Sequence, residues 1–289
     1  MALERGESVN LPSYAPAVFG SVDRALGRFL PGNSALRRSL AWVRACLPHR
    51  LRPGKIPRII EAFARTYPSA FFIQVGSNDG VQKDPLRRCI LNRRWSGIMI
   101  EPVPYVFRRL RQNYGHITRV KLENLAVGCQ DGPLPFYYLA SAANQPGLPE
   151  WYDGLGSFRK DVILSHRATI PDIDQRLVCE SVPCLTFDSL CRKHGIEHVD
   201  IIQIDTEGYD FEVIKLIDIE RLKPRLLLFE REHLGDERAA CYAFLQERGF
   251  ELIEEGMDAI ALNQRDLSRR DRGLVRVWND LKCDGTTPS

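Results

Sequence analysis

From residue 59 to residue 262 the chain alternates short apolar runs with segments of helical period, and no other feature constrains its fold as tightly. FFIQVG (71–76), GIMIE (97–101), VKLENLAVG (120–128), FYYL (136–139), VDIIQID (199–205) and RLLLFE (225–230) read as strands. Helical text lies between them at about 84–92, 103–114, 187–194 and from 211, and again across 237–248. FELIEE (250–255) and DAIAL (258–262) meet around Gly256 as a hairpin. Parallel strands need long crossovers, and helices of this length supply them, so the pattern predicts βαβ units. The predicted fold is a doubly wound α/β sheet, mostly parallel, with one antiparallel edge from the C-terminal hairpin.

Composition admits this fold and excludes others. With 289 residues, 44% hydrophobic and 9% aromatic, the chain can bury a sizeable core and is too apolar for wholesale disorder. No uninterrupted apolar run approaches the ~18 residues of a membrane span. The N-terminal stretch lacks the basic start, apolar block and small-residue cleavage site of a secretory signal, so a cytoplasmic protein is expected. Its 8 cysteines include no C-x-x-C pair and stand mostly far apart. They are expected to be reduced, buried or half-buried thiols rather than zinc ligands or a disulfide framework.

Charge divides the chain unevenly. Residues 1–60 carry ten basic side chains against Glu4, Glu7 and Asp23, a balance of +7 in a chain whose net charge is +3, so the remainder is mildly acidic. A basic surface confined to an extension does not suit a nucleic-acid partner, which wants it on the fold itself. Within the extension, Leu36, Leu40, Val43 and Leu47 form one helix face, with Arg37, Arg38 and Arg44 off it. Such a basic amphipathic helix at 36–47 suits peripheral contact with an anionic membrane or a lipid-linked substrate. Packing of the same stripe on the domain, or on a second copy in a homo-oligomer, is the competing expectation. Pro48, Pro53 and Pro57 mark a boundary. The expected organisation is a helical extension at 1–58, a domain at 59–263 with an insert at 140–180, and a tail at 264–289.

In a doubly wound sheet, ligands bind beyond the C-terminal strand ends, at the point where strand order reverses. Those ends carry Gly76, Ser77, Asn78, Asp79 and Gly80, then Glu101, then Asn124, Ala126 and Val127, then Asp205 and Glu207, then Glu230 and His233. The 76–80 loop lacks the G-x-G-x-x-G dinucleotide spacing, and no phosphate-loop motif is present. Asp79 would repel a pyrophosphate, which disfavours an oxidoreductase using NAD. A carboxylate in the place of Glu101 can accept both hydroxyls of a ribose. A ligand with a ribose, a positive charge and no phosphate chain fits these residues, and S-adenosylmethionine is such a ligand.

FIQVGSNDG, IMIEPVPYVFRRL, ENLAVG, VPCLTFDSL, VDIIQIDTEGYDFEV and LLLFEREHL, in that order, resemble the FkbM-type S-adenosylmethionine-dependent methyltransferases. The resemblance covers roughly residues 70–262. It implies a Rossmann-like methyltransferase sheet and O-methylation, often of sugar hydroxyls on glycolipids, polysaccharides or glycosylated natural products. It also implies that residues 76–79 line the methionine end of the cofactor, Glu101 holds the ribose, Asn124 to Val127 flank the adenine, and Asp205 faces the sulfonium.

Methyl transfer from a sulfonium is an in-line displacement, and the acceptor hydroxyl must also lose its proton. His233 follows a predicted strand end and is expected to be the general base, with Glu230 orienting it; His166, in the insert, is the runner-up. WYDGLGSFR (151–159) offers Trp151, Tyr152, Ser157 and Arg159 as acceptor contacts on a substrate lid, with Glu207 facing the same side. Asp205, Glu207, Asp210 and Glu230 have the oxygen ligands of a divalent metal site, but Asp205 is assigned to the cofactor and Asp210 to a helix start, so metal is not favoured. A non-sugar small-molecule acceptor, or a silent partner protein keeping the fold, remain the competing readings.

Overall fold

The computed structural model describes residues 53–142 and 147–283. The basic stripe at 36–47 lies outside the described residues. A compact unit begins at Lys55. Its main sheet has seven strands: β1 (Phe71–Val75), β2 (Ser96–Ile100), β3 (Val120–Glu123), β8 (Ile201–Ile204), β9 (Leu226–Glu230), β10 (Phe250–Glu255) and β11 (Asp258–Asn263). Their order is β10-β11-β9-β8-β1-β2-β3. The five strands from β9 to β3 are parallel, whereas β11 runs antiparallel to β9 and closes a hairpin with β10. The chain winds outward from β1 through β3 and then returns to β8 on the other side of β1. That reversal opens the crevice between β1 and β8.

Strand alternation feeds two cores. In β1, Phe72 joins a cluster with Trp95, Tyr114, Phe63 and Trp278 on one face, while Ile73 and Val75 join Ile202, Ile204, Phe187 and Val213 on the other. Each face needs its own helices, and the sheet is therefore covered on both sides. Gln74 and Gln203 are buried opposite each other in β1 and β8, where Gln74 Nε2 donates to Gln203 Oε1 at 3.0 Å and to Asp84 Oδ1 at 3.1 Å.

Several departures from the sequence reading have physical reasons. Residues 120–128 are not one strand: β3 stops at Glu123, and β4 (Ala126–Val127) enters a second sheet. That sheet, ordered β4-β7-β5-β6, contains β5 (Gly132–Leu139), β6 (Gly156–Ser157) and β7 (Leu177–Leu185). Proline masks both long strands. Pro133 faces Pro183 across the β5–β7 pair, and neither residue has an N–H to give to the ladder. The insert is also not irregular. Leu139, Tyr152, Leu155, Ile163, Ile170 and Ile173 pack as a small core of their own.

The expected domain limits shift as well. The boundary after residue 58 falls inside the helix Lys55–Thr66, whose first turn accommodates Pro57 without losing an internal hydrogen bond. Glu255 caps that helix, accepting the N–H groups of Lys55 (2.6 Å) and Ile56 (2.8 Å). Residues 272–283, expected in a tail, form the helix Arg272–Cys283, which buries Leu274, Trp278 and Leu281 in the first core beside Lys55–Thr66. Cys89, Cys184, Cys191 and Cys241 are buried thiols, as expected, whereas Cys129, Cys179 and Cys283 are exposed, against the expectation. No helix among the described residues is long and apolar enough to cross a membrane.

Candidate active site

A cavity of about 660 Å³ opens at the C-terminal ends of β1, β2, β8 and β9, where the strand order reverses. Gly76, Ser77 and Asn78 line its wall beside Glu101, and Leu125, Ala126 and Val127 give it an apolar side. Asp205 stands at its floor, with Glu207, Glu230, His233, His166 and Trp151 toward the second sheet.

The loop after β1 is shaped by strand packing. Gly76 has φ +76°, and a Cβ there would lie 1.7 Å from the Asp205 carbonyl oxygen. Its N–H and that of Ser77 donate to the Ile100 carbonyl at 3.0 and 2.9 Å. The Ser77 hydroxyl donates to the Gln74 carbonyl and accepts the Ile100 N–H, tying the loop to β2. Gly76→Ala should therefore cost about 1–2 kcal/mol from the left-handed backbone alone, with the carbonyl clash added. Thermal unfolding of the variant measures it; an unchanged Tm refutes this packing.

Glu101 is the buried anchor. Its Oε2 accepts the Asn78 N–H at 2.9 Å and its Oε1 the Val103 N–H at 2.8 Å. Burial pushes its carboxyl up to about 7 from an ordinary 4.5, against the opposing pull of those two N–H groups, and Asp79 adds to the rise. Each oxygen keeps lone-pair capacity for a hydroxyl donor. Asn78 holds φ +47° to bring its N–H to Glu101.

Several expected contacts do other work. Asp79 and Gly80 do not line the cavity: Asp79 Oδ1 accepts the N–H groups of Val81 and Gln82, closing the turn, and Gly80 packs on Tyr114. Asn124 donates to the carbonyls of Glu101 (2.8 Å) and Pro102 (3.0 Å), so it holds the backbone after β2. Tyr152 is buried with its hydroxyl on the Ala140 carbonyl. Ser157 is buried and donates to the Glu207 carbonyl at 2.7 Å, and Arg159 pairs with Asp161 at the surface. Of the four residues offered from 151–159, only Trp151 reaches the cavity.

The opposite side of the cavity gathers side chains from three elements. The turn after β8 supplies Asp205 and Glu207, the end of β9 and its following 3-10 turn supply Glu230 and His233, and the insert supplies His166. Asp210 fixes the first of these: Oδ2 accepts the Thr206 hydroxyl at 2.9 Å and Oδ1 the Glu230 N–H at 3.2 Å. His233 Nε2 lies 3.3 Å from Glu207 Oε2 and 3.9 Å from Glu230 Oε1. The expected partner Glu230 is thus second to Glu207, which makes His233 more basic than a free imidazole through its hydrogen bond. His166 meets His233 edge to face at 5.7 Å between ring centroids and lies 4.9 Å from Trp151. Burial makes it less basic.

Asp205 is accessible from within the cavity, yet the surrounding protein raises its carboxyl above the ordinary carboxylate range, and Glu207 adds to the rise. Burial and the same neighbours push Glu230 up. The Glu207–His233 pairing escaped the sequence reading. Its one local signal is the Thr206-Glu207-Gly208 turn, where Glu207 has φ +49° and Gly208 φ +88°, a conformation that directs a carboxylate back over a strand end.

Residues 74–252 match the model of the methyltransferase FkbM domain. The 2-O-methyltransferase NoeI of Sinorhizobium fredii is 26% identical over 147 residues, which are 51% of this chain and 57% of that protein. The chain thus spans little more than half the length of that relative. Among solved structures, the methyltransferase FkbM of Methylobacillus flagellatus aligns at TM-score 0.42 and 13% identity over 68% of this chain and 44% of that one. The O-methyltransferase of Bacillus cereus in complex with SAH aligns at TM-score 0.39 and 10% identity, over 86% and 99% of the two chains.

Proposed function

The chain belongs to the FkbM methyltransferase family, and from that premise we propose that it transfers the methyl group of S-adenosylmethionine to a hydroxyl of a sugar or sugar-bearing metabolite. One observation carries the reading. A single cavity joins a ribose-accepting carboxylate, Glu101, to a histidine–carboxylate cluster around His233, with Asp205 between them. The residues fit the cofactor: Glu101 is buried with lone pairs to spare, Gly76 leaves the wall without a side chain, and Leu125, Ala126 and Val127 offer an apolar face.

When bound, S-adenosylmethionine supplies a methyl group activated by a sulfonium. The protein's residues do the rest. Glu101 accepts the ribose hydroxyls, Ala126 and Val127 bound the adenine, and Asp205 faces the cationic end. Glu207, Glu230, His166 and His233 receive the acceptor hydroxyl and draw off its proton. Trp151, half-buried at the mouth of this cluster, offers the aromatic face a sugar ring packs against, and Glu207 and Glu232 offer acceptors for its hydroxyls. The NoeI relative is a 2-O-methyltransferase, which supports oxygen as the acceptor atom.

The test is methyl transfer from labelled S-adenosylmethionine to panels of glycolipids, free sugars and sugar-free alcohols. Labelling of a sugar hydroxyl is expected. Labelling confined to sugar-free acceptors overturns the substrate class, and absence of S-adenosylhomocysteine binding overturns the activity.

Cofactor affinity should also depend on pH. The ionised form of Glu101 is the one that accepts two ribose hydroxyls, and in the folded protein it predominates only above about 7. Between 4.5, where the unfolded chain's carboxyl ionises, and 7, rising pH takes folding stability away from this buried group, while it adds cofactor affinity. Asp79 is the neighbouring charge that adds to the rise of the Glu101 carboxyl. Affinity for S-adenosylhomocysteine should rise roughly tenfold from pH 6 to pH 8. Calorimetry showing a flat profile overturns the ribose role of Glu101.

A further inference from the structure

The cluster beyond Asp205 is built in a way that proton transfer alone does not require. One donor atom each from His166, Glu207 and His233 lies within 4.8 Å of the others, and the same holds for Asp205, Glu207 and Glu230. Glu207 belongs to both groups. Three ligands of one ion at ~2.1 Å stand at most about 3.6 Å from one another, so donors up to 4.8 Å apart close by up to about 1.2 Å around an ion.

Two buried atoms in this cluster have no hydrogen-bond partner: His166 Nε2 and Glu230 Oε2. The Glu230 side chain is only 10% exposed, so it is nine-tenths buried with one oxygen left open to the cluster. A buried polar atom without a partner is costly, and natural proteins leave few of them unfilled. The three carboxylates also find just one cationic partner among the described residues, His233, which pairs with Glu207 and Glu230. Asp210, a ligand candidate on sequence grounds, is engaged through both oxygens with Thr206 and the Glu230 N–H and stands outside the set.

We propose that His166, Glu207 and His233 bind a divalent first-row transition-metal ion, with Asp205 and Glu230 as carboxylates grouped with Glu207 beside it. Two imidazole nitrogens with carboxylate oxygens suit manganese, iron, cobalt or zinc rather than magnesium or calcium, which take all-oxygen shells. Three elements converge on the ion, so it would also pin the insert to the sheet. Its catalytic consequence rests on the O-methyl-transfer reading. An acceptor hydroxyl in an open position of the shell ionises near neutral pH, its O–H bond breaking with the electron pair left on oxygen and the proton passing to cavity water. That oxygen then forms the bond to the methyl carbon as the carbon–sulfur bond breaks and neutral thioether leaves. The histidines then act on the hydroxyl through the ion instead of taking its proton themselves.

Manganese binding to the full chain, followed by electron paramagnetic resonance with no acceptor present, tests the site directly. One Mn²⁺ per chain is expected, displaced by Zn²⁺ and weakened at least tenfold in both His166→Ala and Glu207→Gln. Cobalt loading gives a second readout, through visible bands characteristic of nitrogen and oxygen ligation. S-adenosylhomocysteine binding, measured on the same samples, reports that each variant is folded and that the cofactor reading holds. If the wild type binds S-adenosylhomocysteine but no Mn²⁺ or Co²⁺, the metal site is refuted and the methyltransferase reading stands. Metal binding unchanged in both variants refutes the ligand set, and loss of S-adenosylhomocysteine binding in the wild type instead strikes the cofactor reading.

Discussion

Replacing Glu101 by alanine should weaken S-adenosylhomocysteine binding by about 1.5–3 kcal/mol, or roughly 10- to 150-fold, the size of hydrogen bonds to a charged acceptor. The same substitution orphans the N–H groups of Asn78 and Val103, which now end on the two carboxylate oxygens. The variant should thus also lose stability, and its affinity has to be measured well below its own Tm. The two effects are separable. Lost backbone hydrogen bonds lower the Tm of the ligand-free protein, while lost ribose contacts reduce the further rise in Tm that S-adenosylhomocysteine produces. A variant that melts lower yet shows the full ligand-induced rise would make Glu101 a loop anchor and nothing more.

That double duty explains what the sequence could and could not disclose. A carboxylate closing β2 and another closing β8 were visible as residue types at strand ends, because burial of whole strands leaves only their ends free to be polar. Glu101, Asp205, Glu230 and His233 were found this way, and all four line the cavity. The same signature misled at Asp79, Asn124 and Ser157. A polar side chain that closes a turn or holds a neighbouring backbone looks identical, along the chain, to one that faces a ligand. Only the hydrogen bonds of Asp79 to Val81 and Gln82, and of Ser157 to Glu207, tell the cases apart.

The second sheet was hidden for a different reason. β7 reads LVCESVPCL, with Val182 and Cys184 buried and Glu180, Ser181 and Pro183 exposed, and so few buried positions give weak periodicity. The helix Lys55–Thr66 was hidden by Pro57, read as a breaker although a first helical turn tolerates it. The helix Arg272–Cys283 was missed as part of a tail, although Leu274, Trp278 and Leu281 recur at i, i+4 and i+7. The cavity's chemistry depends on the second sheet, since Ser157 of β6 steadies the Glu207 backbone and the insert delivers His166.

His233→Ala should lower methyl-transfer turnover by roughly 100- to 10,000-fold with little change in S-adenosylhomocysteine affinity, the scale on which removing a proton acceptor or its activating partner acts. The expectation follows from position. His233 is the imidazole that lies beside both Glu207 and Glu230 in the cavity that Glu101 and Asp205 also line. His166→Ala is the informative companion, because His166 lies against His233 at 5.7 Å between ring centroids and makes no hydrogen bond through its buried Nε2. A free-histidine base predicts that only His233 matters and that added metal leaves the damaged enzyme unchanged. A shared ion predicts that both variants fall, and that raising Mn²⁺ restores part of the lost turnover by refilling a weakened site. Near wild-type turnover in His233→Ala, with His166→Ala equally active, would move proton removal away from this cluster altogether. A drop in His233→Ala alone, indifferent to Mn²⁺, would leave the cluster in place and return its imidazole to the role of base.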